Sequence, residues 1–234
     1  MIIMKKTFVF FLLFCCFGCT AENKILSTSI KNINIIEKAS TIEIDIIDLE
    51  SFDSIQILVN KNHSLPEDYE PKDLIEPNVS TTKKLFVREV LHDDLMEMFK
   101  EAENDGAYLS ISSGYRSYQY QKTLFNNYVA RDGIEAASRY SARPGQSEHQ
   151  TGLALDIAAK SGKCTLSSCF KETNEGKWLN ENAWKYGFIL RYPEGKEEIT
   201  GYMFEPWHFR YVGKKEAKKI FESGLTVEEY YDVK

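Results

Sequence analysis

Four histidines occur in the 234 residues, and two of them stand in dense polar and aromatic clusters: His149 in SEHQTGLALDIA (147–158) and His208 in FEPWHFRYVG (204–213). In the first cluster the run LALDIA alternates, so a strand there puts Leu153, Leu155 and Ile157 on one face and Ala154, Asp156 and Ala158 on the other. Asp156 then stands over a floor of small residues, and a turn at Gly152 can return His149 to the same space. In the second cluster a strand puts Trp207, Phe209 and Tyr211 on one side and His208 and Arg210 on the other. Glu205, three residues before His208, falls on the opposite face of a regular strand. Pro206 must therefore mark an edge, bend or bulge if both are to serve one site. Two His and one carboxylate form a known zinc ligand set with a fourth position for water, and a further Glu beside the metal is the general base that a hydrolase needs. Taken singly, each His is more often a hydrogen-bonded packing residue, Asp156 could cap a turn and Glu205 could be a surface carboxylate. His63 and His92 lack carboxylate or Cys partners at ligand spacing and read as surface or capping residues.

Helices must hold these strands. Leu95, Met98, Phe99 and Ala102 recur at helical spacing, with Asp93 and Asp94 in the first turn and Gly106 after the end, which predicts a helix over 92–105. A second helix is expected from Ser117 to about Arg131, with Gln121, Leu124, Phe125, Tyr128 and Val129 on one stripe and Gln121 therefore facing inward. The C-terminal KKEAKKIFESG reads as an ordinary solvated helix ended by Gly224. IQILVN (55–60) is strand-like, and the following NKNHSLPEDYEPKDL holds Pro66 and Pro71, which forbid regular structure. Residues 20–55 read as spacer, although TIEIDIID alternates from Ile42 to Ile46. Trp178 and Trp184 are expected in the core.

Lys5 and Lys6 precede twelve apolar or small residues, TFVFFLLFCCFG, too few to span hydrocarbon and matched to a signal-peptide core. Cys19 follows Gly18 at a lipobox-like junction, with Cys16 where Leu is usual. A lipidated Cys19 is expected, with plain secretion or an uncleaved anchor as alternatives. The expected organisation is a signal peptide at 1–18, a lipidated N-terminus and spacer at 19–55, and one domain at 56–234. Export favours a disulfide between Cys164 and Cys169, whose C-x4-C spacing is a poor zinc pattern. With 43% apolar residues the chain can bury a core, and 29 basic against 35 acidic residues argue against nucleic acid as a partner.

Four segments in order, LVNKNHSLPEDYEPKDL, SGYRSYQYQ, the S-x-H-x6-D of Ser147, His149 and Asp156, and E-x-W-H at Glu205, Trp207 and His208, resemble the VanY-type zinc D-alanyl-D-alanine carboxypeptidases, which trim bacterial peptidoglycan stems. The resemblance covers about residues 56–213. It implies an α+β fold, a single compact domain whose small antiparallel sheet carries the zinc ligands with helices packed around it. It implies that His149, Asp156 and His208 bind Zn2+, that Glu205 is the general base and that Arg116 stabilises the oxyanion. Ser147 and Gln121 match positions near the substrate's terminal carboxylate or backbone, and Trp207 is expected beside the metal. Arg116 could instead only pair with an acid, and Gln121 could be a core residue satisfied by backbone. The implied reaction is that of a D-Ala-D-Ala carboxypeptidase, removal of the C-terminal D-alanine from a peptidoglycan stem peptide; a monomer held to the membrane through lipidated Cys19 is expected. An L,D-carboxypeptidase acting on the tetrapeptide is the runner-up, ahead of an endopeptidase. A non-catalytic peptidoglycan-binding lipoprotein, from a different class, would have no need of Glu205.

Overall fold

The computed structural model describes residues 47–233. In chain order their elements are strands β1 (Leu74–Ile75) and β2 (Val87–Arg88), helix α1 (His92–Asn104), strand β3 (Leu109–Ser113), helices α2 (Tyr118–Asp132) and α3 (Ile134–Tyr140), strand β4 (Ala154–Ala159), helix α4 (Asn174–Asn182), strand β5 (Phe188–Leu190), helix α5 (Glu197–Thr200), strand β6 (His208–Tyr211), and helices α6 (Lys214–Ser223) and α7 (Val227–Tyr230). β1 and β2 form a small antiparallel pair. The main sheet has the order β3-β4-β6-β5, with every neighbour antiparallel. This is the expected α+β arrangement.

The alternation around Asp156 decides how the sheet sits. Leu153, Leu155 and Ile157 are fully buried against Phe209 and Tyr211 of β6 and Leu109 and Ile111 of β3. Helix α1 closes this core with Leu95, Met98, Phe99 and Ala102, the stripe read from the sequence. Each such leucine removed from water is worth roughly 1.5–3 kcal/mol, so a slip of one residue in β4, which turns Asp156 into the core, is strongly disfavoured. Helix α2 is capped by Ser117, whose hydroxyl accepts the Tyr120 N–H at 3.2 Å, and stops before Gly133.

Several expectations change. Ile57, Leu58 and Val59 are buried, but the run 55–60 forms no strand. Its polar groups are taken elsewhere: the Leu58 N–H donates to Leu49 O, and the carbonyls of Ile55 and Ile57 accept from the Arg210 guanidinium at 3.1 and 2.7 Å. The same contacts move the start of the fold upstream of residue 56. Leu49 packs on a second apolar cluster, and the Phe52 carbonyl accepts from the Tyr69 hydroxyl. Residues 47–55, read as spacer, are therefore part of the domain. The leader, Cys19, the rest of the spacer and the alternation from Ile42 to Ile46 lie outside the described residues. Helix α6 is not merely solvated, because Glu216, Ala217 and Ile220 are buried beside Leu58, Ile189 and Val212; it does end at Gly224, at φ +67°. Trp178 is buried and donates to Asp105 at 2.8 Å, whereas Trp184 lies at the edge of the second cluster, stacked on Phe221. Cys164 and Cys169 are disulfide-bonded. No helix among the described residues is long and apolar enough to cross a membrane.

Candidate active site

Strand register brings the chemistry together. Asp156 in β4 stands opposite His208 of β6 on one side and Ser113 of β3 on the other, with a bulge in β3 between Ile111 and Ser113. The chain enters β4 through a 3-10 turn, Glu148–Thr151, which ends at Gly152 in the left-handed conformation at φ +67°. A Cβ at Gly152 would come within 2.9 Å of Arg88 Cγ, so the turn needs glycine for both conformation and space. That turn swings His149 back over the strand. His149 Nε2 lies 3.2 Å and His208 Nδ1 3.4 Å from the same oxygen, Asp156 Oδ1, and all three side chains are buried.

Hydrogen bonds on the far sides of both rings assign their tautomers. His149 Nδ1 is 2.8 Å from the Gly114 carbonyl and donates to it, which leaves Nε2 a lone pair and no hydrogen-bond partner. His208 Nε2 donates to Glu148 Oε2 at 3.2 Å, which leaves its Nδ1 facing Asp156. A buried nitrogen without a partner is costly in a packed interior, and it is accounted for if it ligates a metal. Two imidazole lone pairs and one carboxylate oxygen, all within 4.8 Å of one another, are the donors that suit zinc, each imidazole held from behind by an acceptor. Burial, with help from Arg116, pushes His149 down to about 4, so it is neutral. Burial opposes charge on His208 too, but the carboxylates of Asp156 and Glu148 prevail and raise it to about 9 without a metal. Asp156, despite its burial, is held well below the usual carboxylate range by His149, His208 and Arg116.

The expected bend at Pro206 is a tight turn in which the His208 N–H donates to the Glu205 carbonyl at 3.1 Å. It places Glu205 Oε2 3.6 Å from His208 Nδ1, on the metal side of the ring. Burial raises the Glu205 carboxyl to about 7, His208 and Arg116 opposing and Asp156 and Glu148 adding to the rise. Arg116, beyond the end of β3, donates to Asp156 Oδ2, Gln121 Oε1 and Ser113 Oγ, each at 3.0 Å. It pairs with an acid and lines the cleft as well. Gln121 spends its amide on protein: Oε1 accepts from Arg116 and Nε2 donates to the Ala142 carbonyl at 2.7 Å. It therefore anchors Arg116 and does not line the cleft. Ser147 does line it, as does Trp207, which also packs on the main core. The cleft has a volume of about 400 Å³, with Glu205, His149, Asp156 and His208 in its wall.

Sequence reasoning missed a charged layer behind the site. Glu148 Oε1 accepts from Arg191 Nε and Arg210 Nη1, each at 2.8 Å, and Arg191 forks onto both oxygens of Glu228 at 2.9 and 2.6 Å. Burial works against the Glu148 charge, but Arg191 and Arg210 overcome it and hold the carboxyl below its ordinary range. Arg210 was legible as a neighbour of His208 on one strand face. Arg191 and Glu228, separated by 37 positions, carry no local signal.

Residues 84–214 match the family model described as VanY: D-alanyl-D-alanine carboxypeptidase. Over 216 residues the chain is 44% identical to a "Putative carboxypeptidase YodJ" of Bacillus subtilis (strain 168), covering 90% of this chain and 78% of that protein. Among solved structures, the LdcB LD-carboxypeptidase superposes with a TM-score of 0.74 at 48% identity, over 78% of this chain and 88% of that one. A D,D-pentapeptidase VanY from a VanB-type resistance cassette, in complex with Zn(II), superposes with a TM-score of 0.66 at 36% identity, over 76% and 99%.

Proposed function

This chain belongs to the VanY family of zinc D-alanyl-D-alanine carboxypeptidases, which act on peptidoglycan stem peptides, and from that premise we propose that it removes the C-terminal D-alanine of the stem tetrapeptide. The motifs alone favour D,D cleavage of the pentapeptide. The observation that carries the L,D choice is the likeness to LdcB, at 48% identity and a TM-score of 0.74, against 36% and 0.66 for the D,D enzyme. D,D cleavage remains the second reading, supported by the family description.

His149 Nε2, Asp156 Oδ1 and His208 Nδ1 would hold the zinc. When bound, that ion supplies Lewis-acid polarisation and a water whose pKa falls towards ~7. Glu205 takes the proton of the attacking water at its carboxylate, and its buried position tunes it close to neutral pH, where a general base works best. The scissile carbonyl carbon gains the water oxygen, and negative charge collects on its own oxygen. Arg116, fixed by Asp156, Ser113 and Gln121, offers positive charge there, a contact often worth roughly 3–4 kcal/mol of barrier. The C–N bond then breaks and Glu205 returns the proton to the leaving amine, which releases D-alanine. A binding module would not need this buried carboxylate beside the metal site.

Export and a lipid anchor on Cys19 belong to the same proposal, supported by Lys5, Lys6 and the apolar run before Cys19. Action as a monomer belongs to it too. Mass spectrometry of purified tetrapeptide and pentapeptide after incubation with the zinc-loaded protein tests the reaction. Faster loss of one alanine from the tetrapeptide is expected. Faster loss from the pentapeptide supports the D,D reading, and loss from neither overturns both.

A further inference from the structure

Between β4 and the 3-10 turn Ser168–Glu172 the chain forms a small loop closed by the Cys164–Cys169 disulfide, and Leu166 of this loop lines the catalytic cleft. Two of its non-glycine residues are in the left-handed region, Cys164 at φ +59° and Leu166 at φ +51°. Leucine pays a steric cost there that glycine would not, and such outliers persist where the surroundings enforce them, often at ligand sites. The core does not explain Leu166, which is 52% exposed. Its anchors are the buried parts: Cys164 packs on the main core, and Phe170 beyond the disulfide is fully buried. The loop therefore holds an apolar side chain in water, at the mouth of the cleft, by a covalent clamp. Tyr120 and Met203, 53% and 40% exposed, line the same cleft.

A carboxypeptidase substrate ends at the buried floor and continues only towards its own N-terminus, so the exposed rim meets the residues upstream of the scissile bond. In a stem peptide the main apolar surface there is the methylene chain of the diamino acid. We propose that Leu166, held in place by the Cys164–Cys169 loop, determines specificity by packing on the aliphatic chain of the diamino acid upstream of the released D-alanine. This rests on the stem-peptide reading and deepens it.

The discriminating variant is Leu166→Gly, because glycine adopts φ +51° freely. If Leu166 were structural, its loss should lower the melting temperature and leave KM alone. The expected result is the reverse: an unchanged or raised melting temperature, unchanged zinc content and kcat, and a KM for the tetrapeptide raised about fivefold to thirtyfold, as for the loss of one partly buried leucine. The double variant Cys164→Ser with Cys169→Ser should raise KM in the same direction. A tetrapeptide with alanine in place of the diamino acid should show no difference between wild type and Leu166→Gly. Equal KM values for the natural tetrapeptide, or an equal rise for both peptides, overturn the assignment. Methyl NMR of the zinc-loaded protein, with the Leu166 signal followed as tetrapeptide is added, separates the two claims. A shifted Leu166 methyl without cleavage supports the contact and removes the carboxypeptidase reading, cleavage with an unmoved methyl does the opposite, and neither binding nor cleavage overturns both.

Discussion

Glu148 Oε2 lies 3.2 Å from His208 Nε2, and this bond turns the other ring nitrogen, Nδ1, towards Asp156. The carboxylate is itself fixed, because its second oxygen is shared between Arg191 and Arg210. Glu148→Gln keeps the shape but removes the charge that both guanidiniums face. Zinc affinity is expected to fall about 10- to 100-fold, the usual cost of losing a partner behind a ligating histidine. The fold is expected to lose about 3 kcal/mol, since Arg210 is left without its carboxylate. Chelator competition and urea denaturation measure the two effects, and an unchanged zinc affinity counts against the tautomer assignment.

The charge on His208 sets how metal binding depends on pH. With its pKa raised to about 9 in the metal-free protein, His208 is protonated at neutral pH and must give up that proton to ligate. For stability the sign is that of a raised pKa: protonated His208 stabilises the metal-free fold below about 6.5, and this contribution is lost as pH rises through about 9. Apparent zinc affinity should therefore climb with pH up to about 9 and then flatten. At pH 8, where Glu205 at about 7 is mostly ionised, calorimetry in buffers of different ionisation enthalpy should detect at least one proton released per ion, that of His208, and up to a second from the zinc-bound water. No pH dependence between 6 and 9 contradicts the pairing of His208 with Asp156 and Glu148.

Gly114, within the SGYRS segment, connects packing to the site. A Cβ there would stand 2.4 Å from the Phe86 carbonyl oxygen, a backbone atom that cannot swing aside, while Gly114's own carbonyl accepts from His149 Nδ1. Gly114→Ala is expected to cost about 1–3 kcal/mol and to loosen zinc as the carbonyl behind His149 shifts. Thermal unfolding with and without zinc checks this, and a variant with wild-type stability and zinc affinity excludes the close approach.

The parts of the fold written in short-range periodicity were legible. Helix α1 lies over Leu95, Met98, Phe99 and Ala102, and β4 turns Asp156 away from Leu155 and Ile157, because burial on one face repeats every few residues. Pro206 announced the turn that puts Glu205 beside His208. Strand β3 carries no such signal, since LSISS owes its place to pairing with β4. The apolar run 55–60 marks burial and not where backbone bonds go, so it suggests a strand although Arg210 takes two of its carbonyls. The helical stripe shows Gln121 facing inward, but only the fold shows that Arg116 occupies it. The Arg191–Glu228 pair is a contact between distant segments with no pattern in either.

Glu205→Gln tests the central claim, that a buried carboxylate beside three metal-binding side chains drives peptide hydrolysis. The substitution preserves shape and hydrogen bonding but removes the proton acceptor. Measured side by side on the zinc-loaded full chain with stem tetrapeptide, the variant should keep one zinc per chain and a KM within a few-fold of wild type, while kcat falls about 10²- to 10⁴-fold. Turnover within about threefold of wild type contradicts Glu205 as the general base, and loss of zinc in the same variant would place Glu205 among the ligands instead.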